Sequence, residues 1–194
     1  MNLHLPANYL RREAEAYFDD SANTDQWQAD VYRLGAMLHP QSVLDIGTGS
    51  AFKLQKCFSN AKRVGTDVAR TVDKLRARQI GEDWRVSDFT ERWAERFDLV
   101  ILADVIEHLL DPCAALAFAV AHLAPVHGAI LVSSPARDYL TGAYHRPTGL
   151  PRNPAHVQEW AHRELVALCA DFAAIQFAAV VEPHTSVVLC TCRN

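Results

Sequence analysis

The residues with the clearest chemical potential are glycines and carboxylates that follow short apolar segments. Asp45 begins the run D-I-G-T-G, in which Gly47 and Gly49 flank a threonine. These two glycines allow a tight turn and let a ligand approach the backbone with no Cβ in the way. Asp67 and Asp88 each follow a later apolar segment.

The later carboxylates suit a cofactor that contains adenosine. The Asp67 carboxylate can accept two hydrogen bonds from the vicinal hydroxyls of a ribose. Asp88 can accept a hydrogen bond from an amino group, and Phe89 beside it offers an aromatic wall for a flat ring. Asp67 and Asp88 could instead be simple helix caps. With the glycine run, these residues predict a site for ribose and purine.

Histidines supply the candidate proton acceptors. His108 follows the fourth apolar segment, and His156 follows a proline-rich segment that also contains His145. A neutral imidazole can take the proton from a hydroxyl that attacks a methyl group. His108 and His156 are therefore candidate catalytic residues, although each could be a structural residue that anchors a loop. We interpret His145 as a solvated loop residue.

Short apolar runs and helical patterns alternate from residue 42 onward. Strands are predicted at 42–46, 63–67, 84–88, 97–102, 128–133, 172–181 and 185–191. Helices are predicted at 51–58, 70–78 and 159–169, and a further helix is opened by Asp111 as its cap and Pro112 at its first position and continues through 114–123. This alternation is typical of a parallel sheet with helices on both faces. The last two strands are antiparallel because their short connection cannot make a parallel crossover.

The first forty residues have a different pattern. One helix is predicted at 9–18, and a second is capped by Asn23 or Thr24 and ended by Pro40. We therefore expect an N-terminal helical lid over residues 1–40 and a cofactor-binding domain over 41–194. The proline-rich segment at 139–154 is predicted to be a loop, and residues 139–156 would complete the lid.

Composition excludes several classes of protein. The chain has 194 residues, of which 49% are hydrophobic, and this excludes disorder throughout. The net charge of −4 and the scattered basic residues argue against a duplex nucleic-acid partner. We expect no membrane span and no secretory signal, and five cysteines without a C-x-x-C pair favour a reduced, cytoplasmic protein. We expect a monomer or a homodimer.

The glycine run distinguishes between cofactors. A dinucleotide fingerprint, G-x-G-x-x-G/A, would place the bulky Phe52 where close helix–strand packing needs a small residue. The run D-I-G-T-G-S-A instead resembles the D/E-x-G-x-G-x-G motif of class I S-adenosylmethionine-dependent methyltransferases. The third glycine of that motif is Ala51 here. We expect cofactor binding to tolerate this change.

The resemblance covers roughly residues 41–192 and rests on four motifs at the family's spacing. They read V-L-D-I-G-T-G from Val43, V-G-T-D from Val64, V-S-D-F from Val86 and F-D-L-V-I-L-A-D-V-I-E-H-L from Phe97. The D-V-I-E-H-L segment and the run H-V-Q-E-W from His156 look like the small-molecule O-methyltransferase branch. The implied fold is α/β: a Rossmann-like three-layer sandwich whose seven-stranded, mostly parallel sheet has an antiparallel last strand.

The resemblance also implies roles for individual residues. The glycine run would face the methionine part of S-adenosylmethionine, and Asp45 would position that run and reach the amino group through water. Asp67 would bind the ribose, and Asp88 and Phe89 would contact the adenine. Residues at the end of the fourth strand would line the methionine tail and the substrate entrance. The complete implied cofactor set is Asp45, Gly47, Thr48, Gly49, Asp67, Val68, Asp88, Phe89, Ala103 and Asp104.

We expect methyl transfer to a small-molecule acceptor, at a hydroxyl oxygen, with no metal. One alternative is a metal site formed by Asp104, Glu107, His108 and His156. That pattern resembles the small-RNA 3′-end methyltransferases, which hold terminal hydroxyls in this way, although their first carboxylate is usually Glu. A second alternative is a non-catalytic module that binds S-adenosylmethionine, for which Ala51 is the only indication. Phe52 and the antiparallel last strands argue against a nicotinamide-dependent enzyme.

Overall fold

The computed structural model describes residues 26–78, 82–142, 149–153, 156–181 and 184–193. For residues 26–29 it describes the backbone alone. Outside these residues lie the predicted helix at 9–18, His145, and Asn23 and Thr24, the alternative caps of the second predicted helix. The same holds for part of the predicted lid loop.

Helices and strands alternate along the described chain. The helices are α1 (Gln26–Ala36), α2 (Phe52–Cys57), α3 (Ala69–Ala77), α4 (Pro112–Ala121) and α5 (His162–Phe172). The strands are β1 (Ser42–Ile46), β2 (Lys62–Asp67), β3 (Asp83–Val86), β4 (Leu99–Ala103), β5 (Ala129–Pro135), β6 (Ala174–Val181) and β7 (Thr185–Thr191). A 3₁₀ turn, Ile106–His108, follows β4.

The strands form one seven-stranded sheet in the order β3-β2-β1-β4-β5-β7-β6. The pairs from β3 to β5 are parallel, and β7 is antiparallel to both β5 and β6. The predicted fold class is therefore confirmed, including the antiparallel end. β4 begins two residues later than predicted, because Phe97 makes only an isolated bridge to Leu123.

The central strand β4 shows why the sheet needs a helical layer on each face. Val100 and Leu102 lie in a core cluster with residues of α4 and α5, whereas Leu99 and Ile101 lie in a cluster with residues of α1, α2 and α3. All four side chains are fully buried. Successive strand residues point to opposite faces, so a strand buried on both sides is apolar throughout.

Two helix starts show how local sequence sets the boundaries. α4 begins as predicted, because the Asp111 carboxylate accepts a hydrogen bond from the Ala114 N–H at 3.1 Å and Pro112 opens the helix. The predicted helix at 159–169 begins instead at His162. Trp160 forms a bridge with Ala136, so the residues before His162 follow the sheet rather than the helix.

The carboxyl ends of β1, β2 and β4 adjoin at one edge of the sheet, because β1 pairs with both β2 and β4. Chain order reverses at this point, and open parallel sheets bind ligands at such an edge. Within the described part of the chain, no helix is long and apolar enough to cross a membrane.

Candidate active site

The glycine loop, residues 47–51, connects β1 to α2 in a left-handed conformation. Gly47, Gly49 and Ala51 have φ angles of 73°, 54° and 61°. The N–H groups of Gly47 and Thr48 both donate to the Thr66 carbonyl, at 2.8 and 3.0 Å, which fixes the loop against β2. Ala51 thus stands where glycine is favoured, since the left-handed region costs a residue with a Cβ about 1–2 kcal/mol.

Gly47 also has no room for a side chain. A Cβ built on it would lie 2.5 Å from Val105 Cγ2 and 3.1 Å from Val105 Cγ1. Val105 directly precedes the 3₁₀ turn that carries His108, and the His108 N–H donates to its carbonyl at 3.0 Å. The glycine loop and the His108 segment are therefore in contact.

Asp45 is buried beneath the glycine loop. The Tyr32 hydroxyl lies 3.0 Å from both of its carboxylate oxygens, and the Thr48 hydroxyl donates to Oδ2 at 2.9 Å. Burial raises the pKa of Asp45 to about 7, against the effect of these two hydrogen bonds. The carboxylate thus ties α1 to the loop through Tyr32. Sequence reasoning missed Tyr32, because its only signal was a tyrosine within a predicted helix.

Asp67 ends β2 and reaches the glycine loop. Its Oδ2 accepts from the Gly49 N–H at 2.9 Å, and its Oδ1 accepts from the Val68 N–H at 2.8 Å. Burial raises the pKa of Asp67, and hydrogen bonds from the Gly49 and Val68 N–H groups and from the Thr71 hydroxyl oppose that shift. Since a carboxylate has about four acceptor positions, these three bonds leave about one for a ribose hydroxyl.

Asp88 and Phe89 follow β3 at the next position along the sheet edge. The exposed Asp88 carboxylate accepts from the backbone N–H and the hydroxyl of Thr90, and these bonds lower its pKa. It therefore stabilises a turn rather than a helix start. Phe89 has a φ of 72°, and its ring packs edge-on against Phe118 at 5.9 Å between centroids.

Ala103 and Asp104 lie at the end of β4. Ala103 is half-buried, and Asp104 has a φ of 54°. The Asp104 N–H donates to the Ser133 carbonyl at 3.1 Å, and the Ser133 hydroxyl donates to Asp104 Oδ1 at 2.8 Å. These bonds fix an acidic side chain at the point where chain order reverses.

The two candidate catalytic histidines come together. The rings of His108 and His156 are 5.1 Å apart between centroids and nearly perpendicular, at 80°. The Glu107 carbonyl accepts from the N–H groups of Val157 and Gln158, at 2.7 and 3.3 Å, which joins the 3₁₀ turn to the chain after His156.

His156 is buried, with both ring nitrogens in hydrogen-bonding contact. Nδ1 lies 2.7 Å from Glu159 Oε1, and Nε2 lies 2.9 Å from Asn153 Nδ2. Sequence reasoning assigned no role to Glu159 or Asn153. Their spacing of three residues from His156 was the only signal.

Glu107 is fully buried beside the imidazoles. Within the described residues, neither of its carboxylate oxygens has a hydrogen-bond partner of good geometry. Burial, followed by the Asp104 charge, raises its pKa well above the usual range, and the nearby Ser134 hydroxyl opposes the shift. Glu107, His108 and His156 each offer one ligand atom, all within 4.8 Å of one another. Asp104, the fourth residue of the alternative metal site, is not part of this group.

Comparison with known proteins identifies the family of the chain. The model of a methyltransferase-domain family matches residues 18–179, so the chain belongs to that family. Among curated proteins, none matches the sequence significantly. The predicted class, a class I S-adenosylmethionine-dependent methyltransferase, is confirmed by family and fold.

Three solved structures illustrate the likeness. An O-methyltransferase family protein from Burkholderia thailandensis matches with a TM-score of 0.70 and 16% identity over 91% of this chain and 58% of that one. Human N-acetylserotonin methyltransferase in complex with S-adenosylmethionine matches with a TM-score of 0.64 and 19% identity, over 90% of this chain and 55% of that one. An N-methyltransferase from Bradyrhizobium japonicum in complex with S-adenosylhomocysteine matches with a TM-score of 0.67 and 16% identity, over 96% of this chain and 95% of that one. The chain spans little more than half of the first two proteins. The neighbours with bound cofactor support the predicted S-adenosylmethionine.

Proposed function

We propose that the chain transfers a methyl group from S-adenosylmethionine to a hydroxyl oxygen of a small molecule. The observation that supports this most is the contact between Gly47 of the cofactor loop and Val105, which leads into the His108 turn. A cofactor held by the loop and an acceptor held by the imidazoles would therefore be neighbours.

The residues at the sheet edge fit the cofactor. The glycine loop lets the methionine part approach the backbone, and the remaining acceptor position of the Asp67 carboxylate suits a ribose hydroxyl. Val68 would flank the ribose, and Thr48 would keep the loop on Asp45. Asp88 and Phe89 would contact the adenine, and Ala103 and Asp104 the methionine tail.

The chemistry asks for positioning and proton removal. When bound, S-adenosylmethionine supplies an activated methyl group, and its sulfur leaves as a neutral thioether. The protein then has to align the acceptor oxygen in line with that methyl group and exclude water. His156 takes the proton from the attacking hydroxyl, and His108 packs against the His156 ring and lines the acceptor position.

The remaining proposals concern specificity and setting. Residues 1–40 and the loop at 139–156 would form the lid that selects a small acceptor. We propose a cytoplasmic monomer or homodimer with no duplex nucleic-acid partner, in keeping with the net charge of −4.

The test is a transfer assay with S-adenosylmethionine labelled in its methyl group and a panel of phenols, catechols and sugars. We expect label on an oxygen, and we expect His156→Asn to lower the rate about a hundredfold while retaining cofactor binding. His127→Asn is a matched control, because His127 is exposed, precedes β5 and has a φ of 64° that asparagine tolerates. Cofactor binding without transfer to any acceptor would indicate a non-catalytic module.

A second candidate is metal-dependent methylation of an RNA 3′ end at the 2′-oxygen. The cluster of Glu107, His108 and His156 favours it, because mixed oxygen and nitrogen ligands suit several divalent ions. Transfer to a short single-stranded RNA that stops on chelation and returns with Mn²⁺ would establish this function in place of the first. Transfer to small hydroxyl compounds that survives chelation would exclude it.

A further inference from the structure

The side chain of His156 is held from both ends of its ring. Glu159 lies at Nδ1 and Asn153 at Nε2, at 2.7 and 2.9 Å. The side chains of His156 and Glu159 are only 9% and 3% exposed, so water competes little for the contact between them. The His156 N–H also donates to the Asn153 carbonyl at 3.0 Å, which fixes Asn153 beside the ring.

These contacts define the protonation pattern of a neutral His156. An ionised carboxylate only accepts hydrogen bonds, so Nδ1 donates its proton to Glu159. Nε2 then carries a lone pair, and the Asn153 amide N–H donates to it. A base that takes a proton from an acceptor hydroxyl needs this lone pair. The nitrogen that would do the chemistry is therefore occupied by a side chain of the same protein.

We propose that the Asn153 amide is an internal stand-in for the methyl acceptor, and that Glu159 is the positioning residue that keeps the Nε2 lone pair available. This proposal rests on the proposed function and deepens it. The acceptor displaces Asn153 and donates its own hydrogen bond to Nε2. Its O–H proton then moves to Nε2 as the oxygen–methyl bond forms and the methyl–sulfur bond breaks.

The stand-in also restricts the class of acceptor. A group that replaces an amide N–H donor must itself be a hydrogen-bond donor, which a hydroxyl or an amine satisfies. A thioether, a tertiary amine or a carbon nucleophile without an acidic proton leaves Nε2 without a partner. Buried groups that lose a partner are strongly disfavoured, so acceptors of these kinds are rejected.

Kinetics separate the two roles. Asn153→Ala removes the competitor for Nε2, so KM for the acceptor falls about fivefold, the net worth of one neutral hydrogen bond, with kcat nearly unchanged. Glu159→Gln lets either ring nitrogen carry the proton, so kcat falls at least tenfold with little change in KM. Glu95→Gln is the control, because its carboxylate bonds Lys62 of β2 and Arg85 of β3 rather than residues beside His156. An unchanged or raised KM in both Asn153→Ala and Asn153→Leu overturns the stand-in.

A spectroscopic test stands apart from activity. In the full chain labelled with ¹⁵N-histidine, two-bond ¹⁵N–¹H correlations report which nitrogen of a neutral imidazole carries the proton, and His156→Asn assigns the signal. We expect the proton on Nδ1 in the wild type and a mixture of both forms in Glu159→Gln. A proton on Nε2 in the wild type, or the same spectrum in Glu159→Gln, overturns the positioning role. Absence of methyl transfer would contradict the proposed function and leave this spectrum unaffected.

Discussion

Replacement of Gly47 by alanine tests the geometry of the cofactor loop. Gly47 has a φ of 73°, and its missing side chain makes room for Val105. We expect Gly47→Ala to destabilise the fold and to weaken cofactor binding, because the loop must move away from Val105 to admit the methyl group.

The magnitude has two parts. The left-handed backbone costs an alanine about 1–2 kcal/mol. The second part comes from the 2.5 Å approach to Val105 Cγ2, which is far inside van der Waals contact. Val105 is β-branched and rotates little, so the clash adds about 1–3 kcal/mol of overpacking. The total expected loss is about 2–5 kcal/mol in the free energy of unfolding.

The chain offers a matched control in Gly142. It has a similar φ of 60°, but a Cβ built there meets no atom of the described residues within 4 Å. Gly142→Ala should therefore show the backbone cost alone, about 1–2 kcal/mol. Urea unfolding of both variants measures the difference, and the double variant Gly47→Ala/Val105→Ala should recover most of the overpacking part. Equal losses at the two glycines, or no recovery in the double variant, would refute the proposed clash.

Three further changes have defined outcomes. Ala51→Gly should stabilise the fold by about 0.5–1 kcal/mol in urea unfolding. Glycine removes the strain of a Cβ at φ 61°, and this gain exceeds the greater conformational entropy that glycine gives the unfolded chain. A loss of stability would contradict this. Burial lowers the pKa of His122, and its Nε2 accepts a hydrogen bond from the backbone N–H of Trp93. The free energy of unfolding should therefore fall as the pH drops below about 6.5, because the histidine of the unfolded chain takes up a proton there. His122→Gln should flatten that part of the pH profile, and an unchanged slope would argue against the contact. Tyr32→Phe should lower the free energy of unfolding by about 1–3 kcal/mol above pH 7, where Asp45 with its pKa of about 7 is charged, and by less below pH 7. Unfolding measured at about pH 6 and pH 8.5 checks this difference, and equal losses of stability at the two pH values would contradict it.

The sequence predicts the framework well because burial leaves a strong pattern. β1 and β7 have the predicted bounds, since each is an apolar strand enclosed by turn residues. The positions of the acidic residue at the end of β2 and of the glycine loop follow from the order of the strands alone. Parallel strands bring their carboxyl ends to one edge of the sheet.

The details of the site were beyond local rules. Ala51, Phe89 and Asp104 all adopt left-handed backbone conformations that residue preferences assign to glycine, and only tertiary contacts such as Ser133 with Asp104 hold them there. The contact between His108 and His156 joins residues far apart in the sequence. No periodicity reports it, because it depends on where the chain returns to the sheet edge.

Calorimetric titration with S-adenosylhomocysteine tests the central claim most directly, because it asks whether Asp67 and the glycine loop form the cofactor site. The variants are Asp67→Ala and, as a matched control, Asp73→Ala, which changes an exposed carboxylate on α3. We predict binding by the wild type and by Asp73→Ala, and none by Asp67→Ala, whose cooperative thermal unfolding shows that it is folded. No binding by the wild type, or unchanged affinity in Asp67→Ala, would contradict the account.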